Sequence, residues 1–422
     1  MAGGQDWNIR GSFESRHCND PIRSLVDHGK FKPNPDKELI RLNVGDPTFY
    51  KNLPPSPVVI QAVTDVLQAG KDNDYKRTPG MAEARVALAK KFSYPVNPVH
   101  EDHVIITSGC AQAVQFALTT LCDPGTNILI PKPGYSMYKV NAACRQLEAR
   151  YYNLLPEKSW QVDIEHMESL IDDKTRCIIL VNPSNPCGSV YSKEHLLEIV
   201  AVAEKHRLPI LADEIYGGVV YGGAEFHPLA SLTDRVPILT CSGIGKRYLV
   251  PGWRTGWLIL HDNHGRLEDV RVCLNNLWAR ILGSCGPIQA ALPRILSEVP
   301  DDFFENTNRH LEAASKLVYE KLSTVSCLTP VKPQGAMYML FGIKVDQLDG
   351  IADDLQFAQE LMSEESVFIL PGYIFKYPNY LRIVLLAPET LISEAMDRIA
   401  AFCQRRMKVK QAEKDKRQWV VL

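Results

Sequence analysis

The chain has 422 residues, 45% of them apolar and 23% charged, with a formal net charge of −2. That size allows a large core split between subdomains, and so even a charge balance gives no electrostatic reason to expect nucleic acid or a membrane surface as a partner. No run approaches the roughly 18 uninterrupted apolar residues a membrane span needs, and eleven cysteines without C-x-x-C spacing read as reduced thiols rather than a disulfide framework or metal site.

Residues 1–40 are polar, with an exposed, partly extended Lys32–Lys37 segment. The opening residues lack the apolar centre of a secretory signal, so the cytoplasm is the expected compartment. From about residue 55, helical periodicity alternates with short β-branched runs: Val104–Thr107, Asn127–Ile130, Arg176–Val181, Leu208–Ala212 and Val236–Thr240. Between them lie amphipathic stretches such as Ala113–Leu121 and Glu194–Glu204. That alternation predicts an α/β architecture, a large domain whose mainly parallel sheet is flanked by helices. After about residue 300 come a long charged helix, Asp301–Leu322, and two strand candidates, Ala336–Phe341 and Tyr380–Leu385. These predict a smaller α+β domain. The division expected is 1–60 as an N-terminal segment joining the small domain, 61–305 as the large domain and 306–422 as the small one. Gln404–Arg417 reads as a charged helix end or tail.

Each of the five runs ends in a polar or glycine-bearing loop, where open α/β sheets bind their ligands. After the first, Gly109 precedes a helix whose free N–H groups favour an anion, although such turns are common. After the second stands Tyr135, able to stack on a planar ring or simply to pack. After the third, Asn182 and Asn185 each precede a proline, which holds their backbones rigid. Asp213 closes the fourth apolar run, where a carboxylate is costly without a partner, unless it is only a helix cap. After the fifth, Lys246 sits in a glycine-softened turn and Arg254 follows beside Gly252 and Trp253. An amine there can form a Schiff base, and a guanidinium fork can grip a phosphate.

Taken with Leu42–Thr48, Tyr152–Trp160, Asn182–Val190, Leu211–Gly217, Val250–Arg254 and Gly256–Asp262, these loops resemble the pyridoxal-phosphate-dependent aminotransferases of fold type I, class I. The likeness is strongest to the tyrosine-transaminating branch and runs from about Asn19 to Cys403. It implies pyridoxal 5'-phosphate as cofactor and a homodimer as assembly, with no metal. Lys246 would carry the cofactor as a Schiff base and shuttle the proton at substrate Cα. Asp213 would pair with the ring nitrogen, Asn185 and Tyr216 with the ring O3′, and Tyr135 would stack on the ring. Arg254 would hold the phosphate with Gly109, Cys110 and Ala111, Ser242 lying nearby and Tyr75 reaching in from a neighbouring subunit. Arg382 would take the substrate α-carboxylate, with Gly45 and Asn185 beside it.

The chain departs from the family pattern in three places. Gly243 stands where a hydroxyl residue is usual, with Ser242 one place early. Ala111 replaces a frequent serine, which removes one phosphate contact. Lys76-Arg77 is either a solvated basic edge or extra positive potential at the entrance for acidic keto acids. The expected activity is ping-pong transfer of an aromatic amine, tyrosine first, to 2-oxoglutarate, giving 4-hydroxyphenylpyruvate and glutamate. The alternatives are a transaminase of the same class with another donor (alanine, aspartate, kynurenine or nicotianamine), a lyase on the same cofactor, or a non-catalytic relative. The retained Lys246 argues against the last.

Overall fold

The computed structural model describes residues 7–408. All five strand-like runs enter one eight-stranded sheet. Its strands lie in the order Val104–Thr107, Gly256–His261, Ile238–Gly243, Ile210–Asp213, Thr175–Val181, Asn127–Lys132, Glu148–Leu155, Gln161–Val162. The strands from Ile238–Gly243 to Glu148–Leu155 pair in parallel. Gly256–His261 runs antiparallel to both its neighbours. Successive residues feed opposite faces, as strand geometry demands. Ile128, Ile130, Ile179, Val181, Leu211 and Leu239 enter one apolar cluster with the helices Cys110–Leu121 and Glu268–Ala279. Leu129, Ile178, Leu180, Ile210, Ala212 and Ile238 enter another with the helix Lys193–His206. Burial on both faces is why the runs read as continuously apolar rather than alternating.

The second unit is a four-stranded antiparallel sheet in the order Leu328–Pro330, Tyr338–Ile343, Tyr380–Val384, Leu370–Pro371. The helix Asp301–Ser323 covers it through Leu311, Ala314, Val318 and Leu322, a stripe at helical spacing. The helix Glu389–Arg406 packs beside it through Ile392, Met396, Ile399 and Cys403. Each such aliphatic side chain contributes roughly 1.5–3 kcal/mol when fully buried. The N-terminal residues join this unit: Ile40–Arg41 pairs in parallel with Val367–Phe368, and Val384 N–H donates to the Leu42 carbonyl at 2.9 Å.

The structure adds several elements to the sequence reading. Glu148–Leu155 and Gly256–His261 are further strands of the large sheet, and Leu328–Pro330 and Leu370–Pro371 complete the small one. Two short helices, Phe13–His17 and Pro21–His28, interrupt the polar leader. Of the charged stretch expected over Gln404–Arg417, the first residues finish the helix Glu389–Arg406. Residues 409–417 lie outside the described residues. Among the described residues, no helix is long and apolar enough to cross a membrane.

Candidate active site

The polar loops gather at the carboxyl end of the parallel strands and face the small sheet. Asp213 is the last residue of its strand and only 6% exposed. Burial raises its pKa above the usual carboxylate value, and three donors pull against that. Tyr138 Oη donates to Oδ2 at 2.7 Å, the Ile215 N–H to Oδ1 at 3.2 Å and the Cys110 thiol to Oδ1 at 3.5 Å. One acid is thus held in fixed orientation at the floor of the site.

Lys246 lies in the turn after the strand Ile238–Gly243, and its Nζ donates to the Gly45 carbonyl. The next strand returns antiparallel, so the same connection brings Arg254 back to this end of the sheet. Arg254 has φ 47°; it donates to the Pro251 carbonyl at 2.9 Å and the Ser108 carbonyl at 3.4 Å. Its guanidinium lies against Gly109, where a Cβ would stand 2.6 Å from Arg254 Nη2. Gly109 has φ 79°, ψ 168° and caps the helix Cys110–Leu121. The first N–H groups of that helix have no acceptor within it. Gly256 permits the strand to meet this turn, since a Cβ there would stand 2.6 Å from the Cys110 nitrogen.

Arg382, on the strand Tyr380–Val384, is 3% exposed. Its contacts are neutral: Nη1 donates to Asn185 Oδ1 at 3.1 Å and Nη2 to the Asn43 carbonyl at 3.0 Å. Its Cζ lies 4.4 Å from the Tyr338 ring centroid and 5.0 Å from that of Phe375. Its Nε and Asn43 Oδ1 are buried without partners. Burial lowers its pKa, because the cost of desolvating the cation is offset only in part by the Tyr338, Tyr216 and Tyr135 hydroxyls. A guanidinium so placed suits a carboxylate.

The structure therefore brings together Gly45, Gly109, Cys110, Asn185, Asp213, Tyr216, Lys246, Arg254 and Arg382. Tyr135 immediately precedes the helix Ser136–Cys144, its ring edge-on to Tyr138 at 5.8 Å. Ala111 is exposed on the first turn of its helix. Ser242 is turned away: its hydroxyl donates to the Glu214 carbonyl at 3.2 Å. Tyr75 stands apart, 82% exposed. Lys76 is no free cation at the entrance, since its Nζ lies 3.0 Å from Asp72 Oδ1 and 2.6 Å from Asp74 Oδ1. The sequence reading gave no role to Tyr138, Tyr338, Phe375 or Asn43. Tyr138 lies three residues past Tyr135 and Tyr338 inside the strand candidate Ala336–Phe341, yet their partners are 75 and 122 residues away in sequence.

The residues present fit pyridoxal 5'-phosphate. A buried acid suits a protonated ring nitrogen, free helix N–H groups with a guanidinium suit a phosphate, and an amine between them suits an aldehyde. The chain matches the family model of aminotransferase class I and II over residues 37–399. It is 46% identical over 399 residues to mouse tyrosine aminotransferase, covering 94% of this chain and 88% of that one. Against human tyrosine aminotransferase the identity is 45% at the same coverage. A solved structure of tyrosine aminotransferase from Leishmania infantum superposes with TM-score 0.92 at 33% identity, covering 96% of this chain and 100% of that one.

Proposed function

Since the chain belongs to the class I and II aminotransferases, we propose that it moves the amino group of L-tyrosine to 2-oxoglutarate, with pyridoxal 5'-phosphate bound at Lys246. The observation that carries this reading is the buried Arg382 fork, held by neutral oxygens with no acidic partner, beside the site that holds Lys246 and Asp213. Tyrosine as donor is supported by the mouse and human relatives.

Pyridoxal phosphate supplies an aldehyde that exchanges for the amine and a ring that withdraws the electrons released at the amino acid's Cα. The chain's own residues do the rest. Arg254 and the N–H groups of Cys110 and Ala111 would hold the phosphate, while the Gly109 N–H is given to the Thr107 carbonyl at 2.9 Å. Asp213 keeps a proton on the ring nitrogen, and the Tyr138 hydroxyl keeps Asp213 aimed. Tyr216 and Asn185 would serve the ring O3′, and Tyr135 would cover a ring face. Arg382 fixes the α-carboxylate bidentately and so orients the Cα–H bond toward Lys246, whose amine takes that proton and delivers it on the other side of the exchange. With 2-oxoglutarate the same residues run the sequence backwards.

The assembly proposed is a homodimer in which Tyr75 reaches the neighbouring subunit's phosphate. Tyr75, 82% exposed, has its ring free for that role.

Borohydride reduction with peptide mapping is expected to leave the pyridoxyl group on Lys246. Lys246→Ala is expected to bind the cofactor without a covalent link and to lose roughly 1,000-fold or more in transamination. A reduced adduct on any other lysine, or near-normal turnover by the variant, refutes the assignment. In a donor panel tyrosine is expected to lead; its ranking below alanine, aspartate, kynurenine or nicotianamine refutes the substrate.

A further inference from the structure

We propose that Tyr338 is a positioning residue that joins the two halves of this site, holding Tyr216 as a hydrogen-bond donor toward the cofactor and seating Arg382 for the substrate carboxylate. The inference rests on the functional reading above and deepens it. Tyr338 opens the central strand of the small sheet and is 2% exposed. Its hydroxyl lies 2.7 Å from that of Tyr216, which follows the end of a large-sheet strand, with the two rings edge to face at 5.7 Å. The face of the same ring carries the Arg382 guanidinium at 4.4 Å. Gly45, whose carbonyl accepts from Lys246, comes so close that a Cβ on it would stand 2.5 Å from Tyr338 Oη. One side chain therefore touches the partners of cofactor, substrate and catalytic amine at once.

The hydrogen count gives the pair a direction. Each hydroxyl has one proton, and a buried O–H···O pair uses one of the two. If Tyr216 donated to Tyr338, it would have none left for the ring O3′. A cation above the Tyr338 ring draws electron density from its hydroxyl and makes Tyr338 the better donor of the two. Tyr216, as acceptor, keeps its own proton and becomes a stronger donor in turn. The ring also replaces part of the hydration that Arg382 lost on burial without occupying the carboxylate seat.

The two roles separate by substitution. Tyr338→Phe keeps the ring and loses the hydroxyl. The pH midpoint at which the bound cofactor's visible absorbance changes is expected to rise by about half a unit to one unit, since O3′ loses part of its stabilisation. Binding of 3-(4-hydroxyphenyl)propanoate, measured by titration calorimetry, is expected to change by less than about twofold, because the ring remains. Tyr338→Leu loses both, and that carboxylate is expected to bind roughly tenfold or more weakly. In a Tyr216→Phe background, Tyr338→Phe is expected to move the midpoint no further. An unmoved midpoint in Tyr338→Phe, or a full shift surviving in the Tyr216→Phe background, overturns the proposal while leaving the enzyme assignment standing. A wild-type protein that takes up no cofactor overturns both.

Discussion

At the scale of single residues the site is governed by charges that lack their counterparts. Arg382 is held by two neutral oxygens and two aromatic faces, an arrangement that costs desolvation and is recovered only when a carboxylate arrives. A lysine at this position would keep the charge but not the planar fork. Arg382→Lys is therefore expected to raise KM for both tyrosine and 2-oxoglutarate by about 10- to 100-fold, the equivalent of one charge-assisted hydrogen bond. A smaller fall in kcat and retained cofactor absorbance should accompany it; unchanged KM for both substrates excludes the carboxylate role. Asp213 was legible in the sequence because a carboxylate ending an apolar run needs an explanation. Its donor Tyr138 was not, since a tyrosine at a helix start looks like any packed aromatic until the fold brings it to 2.7 Å. Tyr338 escaped for the same reason, being one apolar residue in a strand run whose meaning lies in what it faces.

At the scale of elements, the turn between the strand Val104–Thr107 and the helix Cys110–Leu121 does the most with the fewest atoms. Gly109 at φ 79°, ψ 168° occupies a region open almost only to glycine, and its missing Cβ is where the Arg254 guanidinium lies. Gly109→Ala thus strains the backbone by about 1–3 kcal/mol and displaces Arg254 in the same step. The expected result is a folded protein whose affinity for pyridoxal phosphate, followed by fluorescence quenching of the apoprotein, falls roughly tenfold or more. Wild-type affinity in that variant would show that the phosphate is held elsewhere. The strand–turn–helix pattern was readable from periodicity, as were the five parallel runs. Leu328–Pro330 and Leu370–Pro371 were not, because two or three residues carry no period and their pairing is decided by neighbours far along the chain. The direction of Gly256–His261 follows from its connection: residues 244–255 hold turns and the short 3-10 segment Pro251–Trp253 rather than a crossover helix, so the chain turns back beside the strand it left. That return, more than any motif, sets Lys246 and Arg254 in one loop.

At the scale of the whole molecule, two buried titratable groups outside the proposed chemistry set a pH dependence of stability. Glu214 is 6% exposed beside Asp213, with the Leu229 N–H donating to Oε1 at 2.8 Å. Burial pushes its pKa from 4.5 up to about 8. His261, stacked on Tyr94 at 5.9 Å with Nδ1 unpartnered, is pushed by burial from 6.5 down to about 3. Between pH 4.5 and 8 the folded state keeps a proton on Glu214 that the unfolded chain has released, so this group's stabilisation falls as pH rises. Between pH 3 and 6.5 the unfolded chain holds a proton on His261 that the folded state refuses, so that group's contribution falls as pH drops. The two slopes oppose each other from 4.5 to 6.5, and above 6.5 only that of Glu214 is left. Glu214→Gln removes it while keeping the side chain's shape and an oxygen for the Leu229 N–H. Melting temperatures followed from pH 5 to 9 are therefore expected to show the variant gaining on the wild type as pH rises, with the gain levelling off above about pH 8. A constant difference across that range would mean that Glu214 is already ionised in the folded protein and that a counter-charge, rather than a proton, keeps it buried.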